Sequence, residues 1–277
     1  MWILKKPDLA DAINDIQTVI DKSNGKLLNT DRIPITKIYK LYDKQNGIIQ
    51  ESQIDENLDS KKQNALDALY PKTRGEGDLS YIRKELTKYI YTCPICGFGS
   101  LEQLDHLYPQ SNFPALGVCR LNLIPECGTC NNLKSNEEPL KFLHPYYNER
   151  LKSIEFFSVK IHSHEGILSW IFQIDETVLT VEELTKISFQ ISKVNLINRL
   201  YKETNGALIE LLLQNNFLNI DAFAETVKNK YNEFLNSRGL NDWKTAFYKG
   251  LKKAIEDGKI TMKAIDIYKK RNFEVFF

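Results

Sequence analysis

Residues 93–135 read CPICGFGSLEQLDHLYPQSNFPALGVCRLNLIPECGTCNNLKS, and the pattern of this stretch decides how the chain folds. It opens and closes on two C-x-x-C knuckles, Cys93/Cys96 and Cys127/Cys130. A two-residue spacing lets one tight turn present two thiolates to one ion, and two such turns complete a tetrahedral cysteine-only site for zinc. A closed four-thiolate site leaves no open position, so this zinc is expected to be structural. The knuckles are separated by 30 residues, longer than in a simple zinc ribbon, so the insert must fold back on itself to unite them. Buried small residues or a redox dithiol account less well for two matched pairs. The fifth cysteine, Cys119, reads as a small buried hydrophobe.

Within the insert, LEQLDHL alternates as a strand that ends on Asp105 and His106, RLNLIPE reads as the returning strand, and CGTCNNLKSN starts a helix. Strand, loop, strand and helix make a ββα unit whose polar side chains are expected to converge. A histidine neutral near pH 7 suits proton abstraction from water. Asp105 and Asn131 offer hard oxygen ligands, which suit Mg²⁺ or Mn²⁺ rather than zinc. Asn132 competes with Asn131 for that role, because sequence does not set the helix phase. Lys134 lies one turn beyond Asn131, where it could meet a phosphate. Alone, Asp105-His106 would be read as an ordinary turn; Asn122, Asn131 and the zinc frame together shift the reading to catalysis.

The order of these residues resembles the HNH endonuclease superfamily: Asp105-His106, then P-x-S at 109–111, then Asn122-Leu123, then C-x-x-C-N-x-x-K at 127–134. The resemblance covers residues 93–135, under a fifth of the chain. It implies a zinc-braced ββα-metal centre that hydrolyses phosphodiesters. His106 is then the general base, Asp105 and Asn131 the ligands of a catalytic Mg²⁺ or Mn²⁺, Asn122 the residue that orders the loop and supports the histidine, and Lys134 a phosphate contact. The wider set CPICG, LDH, NLIPEC, CN and FLHPYY is similar to HNH subunits of bacterial antiphage systems of the Septu type and their retron-associated relatives, which implies an ATPase partner. DNA is the expected substrate, with RNA such as tRNA open. The rival reading is a zinc-stabilised nucleic-acid- or protein-binding module that has lost its chemistry; the presence of Asp105, His106, Asn122 and Asn131 together weighs against it.

Outward from this centre the 277-residue chain is ordinary globular protein, 42% hydrophobic and 26% charged. Its 37 basic and 36 acidic residues nearly cancel, so a broad polycationic surface is not implied and nucleic-acid binding must rest on a local site. MWILKKPDLADAIND holds no apolar run of signal-peptide length, and no segment is apolar enough to span a bilayer, so a cytoplasmic protein with no membrane partner is expected.

The flanks read as helical, which makes the fold α+β and mainly α. Three regions are expected: a helical region 1–92, the zinc-braced centre 93–145, and a region 146–277 with a β-hairpin followed by helices. Asp8 is placed as the cap of a helix through Ile13, Ile16 and Ile20, a second helix spans Ile35 to Tyr42, and the polar run 45–64 is read as loops. Asp78 is expected to cap a helix with Leu79, Ile82, Leu86 and Ile90 on one face. In the hairpin, Phe157, Val159 and Ile161 share a face with Leu168, Trp170 and Phe172. Thr180 and Glu183 form a capping box, and Asp221 is expected to cap a helix that stops at Gly239. His144 reads as a helix stop before Pro145 rather than a substrate contact, and His162 and His164 as residues of a solvated turn. Arg120, Lys141 and Arg150 could line a nucleic-acid path, though most surface charges are merely solvated.

Overall fold

The computed structural model describes residues 1–135, 137–215 and 217–273. The chain divides near residue 149 into two compact units, Trp2–Glu149 and the segment from Arg150 onward. This differs from the three expected regions: the amino-terminal helices do not stand apart from the cysteine-rich centre, because both bury their apolar faces in one core.

In the first unit, helices α1 (Leu9–Asp21) and α2 (Arg32–Lys44) pack with apolar residues every third or fourth position, including Ala12, Ile16, Val19, Ile35, Ile38 and Tyr42. Asp8 caps α1, its carboxylate accepting from the Ala10 N–H at 2.9 Å. The run read as loops carries a further helix, α3 (Ser60–Asp67), capped by Asp59. It escaped notice because its first turn is wholly polar and only Ala65 and Leu66 are buried. Helix α4 (Ser80–Thr87) buries Ile82 and Leu86, but Asp78 does not cap it; that carboxylate pairs with Lys22 at 2.9 Å instead.

Strands β1 (Gln103–His106) and β2 (Leu123–Glu126) pair antiparallel, with Asp105 opposite Ile124 and Gln103 opposite Glu126. Helix α5 (Gly128–Lys134) follows at once, with Cys127 as its cap. Leu104, Leu116, Cys119, Leu121 and Leu123 join the core of α1–α4, so the short hairpin is anchored by helices drawn from 90 residues of preceding chain.

In the second unit a short helix α6 (Arg150–Ser153) leads into β3 (Phe157–His164) and β4 (Ile167–Ile174), joined through Glu165 and Gly166. Val159 pairs with Phe172 and Ile161 with Trp170, the shared face read from alternation. His162 and His164 lie on β3 itself rather than in the turn, and both are exposed. Helices α7 (Val181–Lys193), α8 (Leu196–Gln214), α9 (Ile220–Arg238), α10 (Trp243–Glu256) and α11 (Met262–Phe273) complete this unit. The Thr180–Glu183 box caps α7 reciprocally, at 3.2 and 2.8 Å. Asn219, not Asp221, caps α9. Among the described residues no helix is long and apolar enough to cross a membrane.

Candidate functional site

Cys93, Cys96, Cys127 and Cys130 are buried, and their sulfurs all lie within 4.8 Å of one another. A zinc ion about 2.3 Å from each of four thiolates sets a sulfur–sulfur edge of about 3.8 Å, close to the 3.9 Å between Cys96 and Cys127. Both knuckles carry the N–H···S bonds that orient thiolates toward an ion, from Gly99 to Cys96 (3.3 Å) and from Cys130 to Cys127 (3.4 Å). Gly99 is obligatory, since a Cβ there would fall 2.6 Å from the Cys127 sulfur. Hydrogen bonds from Cys130, Cys93 and Cys96 hold the Cys127 thiol far below its ordinary range, while the bond to Cys127 raises Cys93. Four thiols this close conflict by themselves, and one divalent cation removes the conflict. The cluster is arranged to hold a metal ion, and its donor set is that of structural zinc.

Beside it, alternation along β1 parts two neighbouring residues. His106 and Leu104 are buried, whereas Gln103 and Asp105 are half-buried on the side that α5 covers. The expected convergence therefore takes the form of two adjoining groups. In the first, His106 Nε2 lies 2.7 Å from the Gly117 carbonyl oxygen. A carbonyl only accepts, so Nε2 carries the proton and Nδ1 keeps its lone pair. The Tyr70 ring stacks edge-on at 4.4 Å. Burial pulls the imidazole pKa below its ordinary 6.5, partly opposed by the Gly117 bond and by Asp105. The neutral ring is thus held in one tautomer.

Asn122 sets the loop that carries Gly117. Fully buried, it accepts from the Tyr108 N–H at 2.8 Å and donates to the carbonyls of Tyr108 (3.2 Å) and Leu116 (3.4 Å). Gly117 itself admits no side chain, because a Cβ would meet the Asp67 Cα of α3 at 2.7 Å.

The second group lies between β1, β2 and α5. Asn131 donates its amide to the Gln103 side chain, which leaves its own oxygen as an acceptor, whereas Asn132 is exposed. Lys134 does not project toward solvent as a phosphate contact would. It is buried, and its ammonium pairs with both Asp105 and Glu126. Burial opposes that charge, yet the two carboxylates raise the Lys134 pKa. Glu126 is entirely buried and its Oε2 has no hydrogen-bond partner. Burial pushes its carboxyl up to about 7, against Lys134 and with Asp105. Glu126 and Gln103 were not singled out from sequence. The signal was present, since pairing Asp105 with Ile124 places Glu126 on the face of Asp105. Asp105 and Asn131 offer hard oxygens of the kind that suits Mg²⁺ or Mn²⁺, and a buried oxygen without a hydrogen-bond partner, Glu126 Oε2, belongs to the same group.

The other candidates have partners within the chain. Arg120 is buried and forked, onto Asp15 at 2.6 and 2.8 Å and onto Glu85 at 2.7 Å. Lys141 faces Glu137 and Glu138, and Arg150 pairs with Glu183. His144 ends no helix; only a 3-10 turn at Pro139–Lys141 precedes it, and its ring is buried against the Tyr42 hydroxyl at 3.0 Å. Burial lifts the Cys119 thiol to about 12, as for an inert core cysteine. Comparison of the chain with protein-family models, with curated proteins and with solved structures finds no match in any of the three.

Proposed function

We propose that this chain is a metal-dependent HNH-type endonuclease that hydrolyses phosphodiester bonds, with DNA as the favoured substrate and RNA such as tRNA as the alternative. The observation that carries this reading is the His106–Gly117 bond, which leaves Nδ1 of a neutral imidazole to accept a proton. In the proposed mechanism His106 takes the proton of the attacking water at Nδ1, while Gly117 holds the ring in place and stabilises the imidazolium that forms. Asn122 keeps that carbonyl in position. Asp105 and Asn131 would hold a Mg²⁺ or Mn²⁺ ion, which neutralises charge building on the phosphate when bound. The cysteine cluster, with zinc, fixes the start of α5 and so the placement of Asn131.

The test is magnesium-dependent nicking of plasmid DNA, repeated with tRNA. His106→Ala should keep its zinc and its fold and lose at least about 10²-fold in cleavage, the usual scale for a general base. Cleavage by His106→Ala at the wild-type rate would overturn the assignment. The resemblance to antiphage subunits adds an ATPase partner to the proposal. The near balance of 37 basic and 36 acidic residues fits a nuclease that relies on another protein for substrate engagement. Tight binding and rapid turnover by the isolated chain at physiological salt would refute that dependence.

A further inference from the structure

We infer that Glu126 belongs to the divalent-cation site, and that the Lys134 ammonium is a built-in counter-ion which the cation replaces. This rests on the assignment of Asp105 as a cation ligand. A carboxylate with no solvent exposure is costly unless its charge and both oxygens are compensated. Glu126 meets half of that requirement: one oxygen receives Lys134 at 2.5 Å, and the other has no partner. The same ammonium also serves Asp105. With both carboxylates ionised, one positive charge between them leaves one negative charge over, whereas a divalent cation balances both.

The geometry suits the exchange. Two carboxylates from adjoining strands converge on a single ammonium at hydrogen-bond distance, so their oxygens already surround one point. An ordinary ammonium–carboxylate contact is about 2.8 Å and Mg²⁺ ligation about 2.1 Å, so the two carboxylates would close in by less than an ångström. Lys134 is the last residue of α5 and carries its charge on a flexible four-carbon stem, so it can leave without breaking the helix. Asp105 keeps 22% of its side chain exposed, which opens the group to solvent on that side. Once displaced, the ammonium is left beside the cation, where it can pair with a phosphate. A residue that is buried without substrate thus acquires the phosphate contact expected from its sequence position.

Direct Mn²⁺ binding, by calorimetry on the zinc-loaded full chain, tests this apart from cleavage. Glu126→Gln should weaken Mn²⁺ by about tenfold or more, the scale on which supporting groups tune metal affinity. Lys134→Met should bind Mn²⁺ more tightly than wild type, because a competing charge is gone, while losing cleavage. Wild-type affinity in Glu126→Gln, or unchanged or weaker binding in Lys134→Met, overturns the inference. A second measurement needs no variant: amine-reactive labelling of Lys134 in the wild-type chain, read by mass spectrometry, should rise when Mn²⁺ is added. Labelling that stays at its metal-free level means that Lys134 is a fixed structural partner and sinks the exchange. A chain that shows this binding pattern but cuts no nucleic acid removes the nuclease reading alone. A chain that cuts while Glu126→Gln binds Mn²⁺ normally removes this inference alone.

Discussion

Asn122→Ala tests the proposed support of His106 more sharply than replacement of the histidine itself. The substitution strands two backbone groups in a site with no solvent exposure, the Tyr108 N–H bound at 2.8 Å and the Tyr108 carbonyl bound at 3.2 Å, and removes the weaker of two bonds to the Leu116 carbonyl, which keeps the Cys119 N–H at 3.1 Å. A buried donor left unmade costs about 1–3 kcal/mol, and the two longer bonds contribute about 1 kcal/mol or less each. The expected destabilisation of the Trp2–Glu149 unit is therefore about 2–3 kcal/mol, less if water enters the space. Asn122→Asp is nearly isosteric yet should be at least as damaging, because a carboxylate oxygen would then face both carbonyls. Denaturant unfolding combined with amide exchange at Leu107 and Tyr108 reads this unit separately from the second. Zinc content should stay normal, since the cysteine cluster lies outside the loop, and cleavage should fall because the Gly117 carbonyl is no longer held against His106. A loss under about 1 kcal/mol with unchanged exchange at Tyr108, or a better-tolerated aspartate, would refute the role given to Asn122.

Three further outcomes are expected. Cys93→Ser, Cys130→Ser and Gly99→Ala should each lose the tightly held metal and loosen α5, the last because its Cβ would lie 2.6 Å from the Cys127 sulfur; elemental analysis finding a full zinc complement in Gly99→Ala would contradict the packing. For His106, burial lowers the folded-state pKa, so the unfolded chain binds more protons in the window below 6.5; its contribution to stability is complete above 6.5 and is lost as pH falls through the folded value. The acid limb of cleavage should accordingly lie below 6.5 in a pH–rate profile, and an inflection above it would mean that the ring is stabilised as imidazolium. Arg120→Met should cost about 3–5 kcal/mol by leaving the buried Asp15 carboxylate without its counter-charge and with only the Tyr81 hydroxyl, at 2.9 Å, as a partner, with nucleic-acid affinity of the folded protein unchanged; a stable variant with weakened binding would return Arg120 to the substrate path.

What could be read from the chain alone was whatever depends on neighbours in sequence. The knuckles at 93–96 and 127–130 are legible because a metal turn spans four residues. The order β1, β2, α5 follows from alternation that gives way to a capped start, and the Asp8 cap, the Thr180–Glu183 box and the Val159–Phe172 face are equally local. Local rules also misled where two residues compete for one role: Asn219 caps α9 in place of Asp221, and Asp78 goes to Lys22. The remainder was decided by long-range burial. Nothing near Arg120 in sequence says that Asp15, 105 residues away, will hold it inside, and nothing near residue 92 says that α1–α4 share a core with β1 and β2. Lys134 and Glu126 are separated by eight residues, yet their pairing with Asp105 depends on α5 closing over the hairpin face. A charged side chain becomes a partner rather than a surface group only once packing has removed the water around it, and packing is settled by the whole fold.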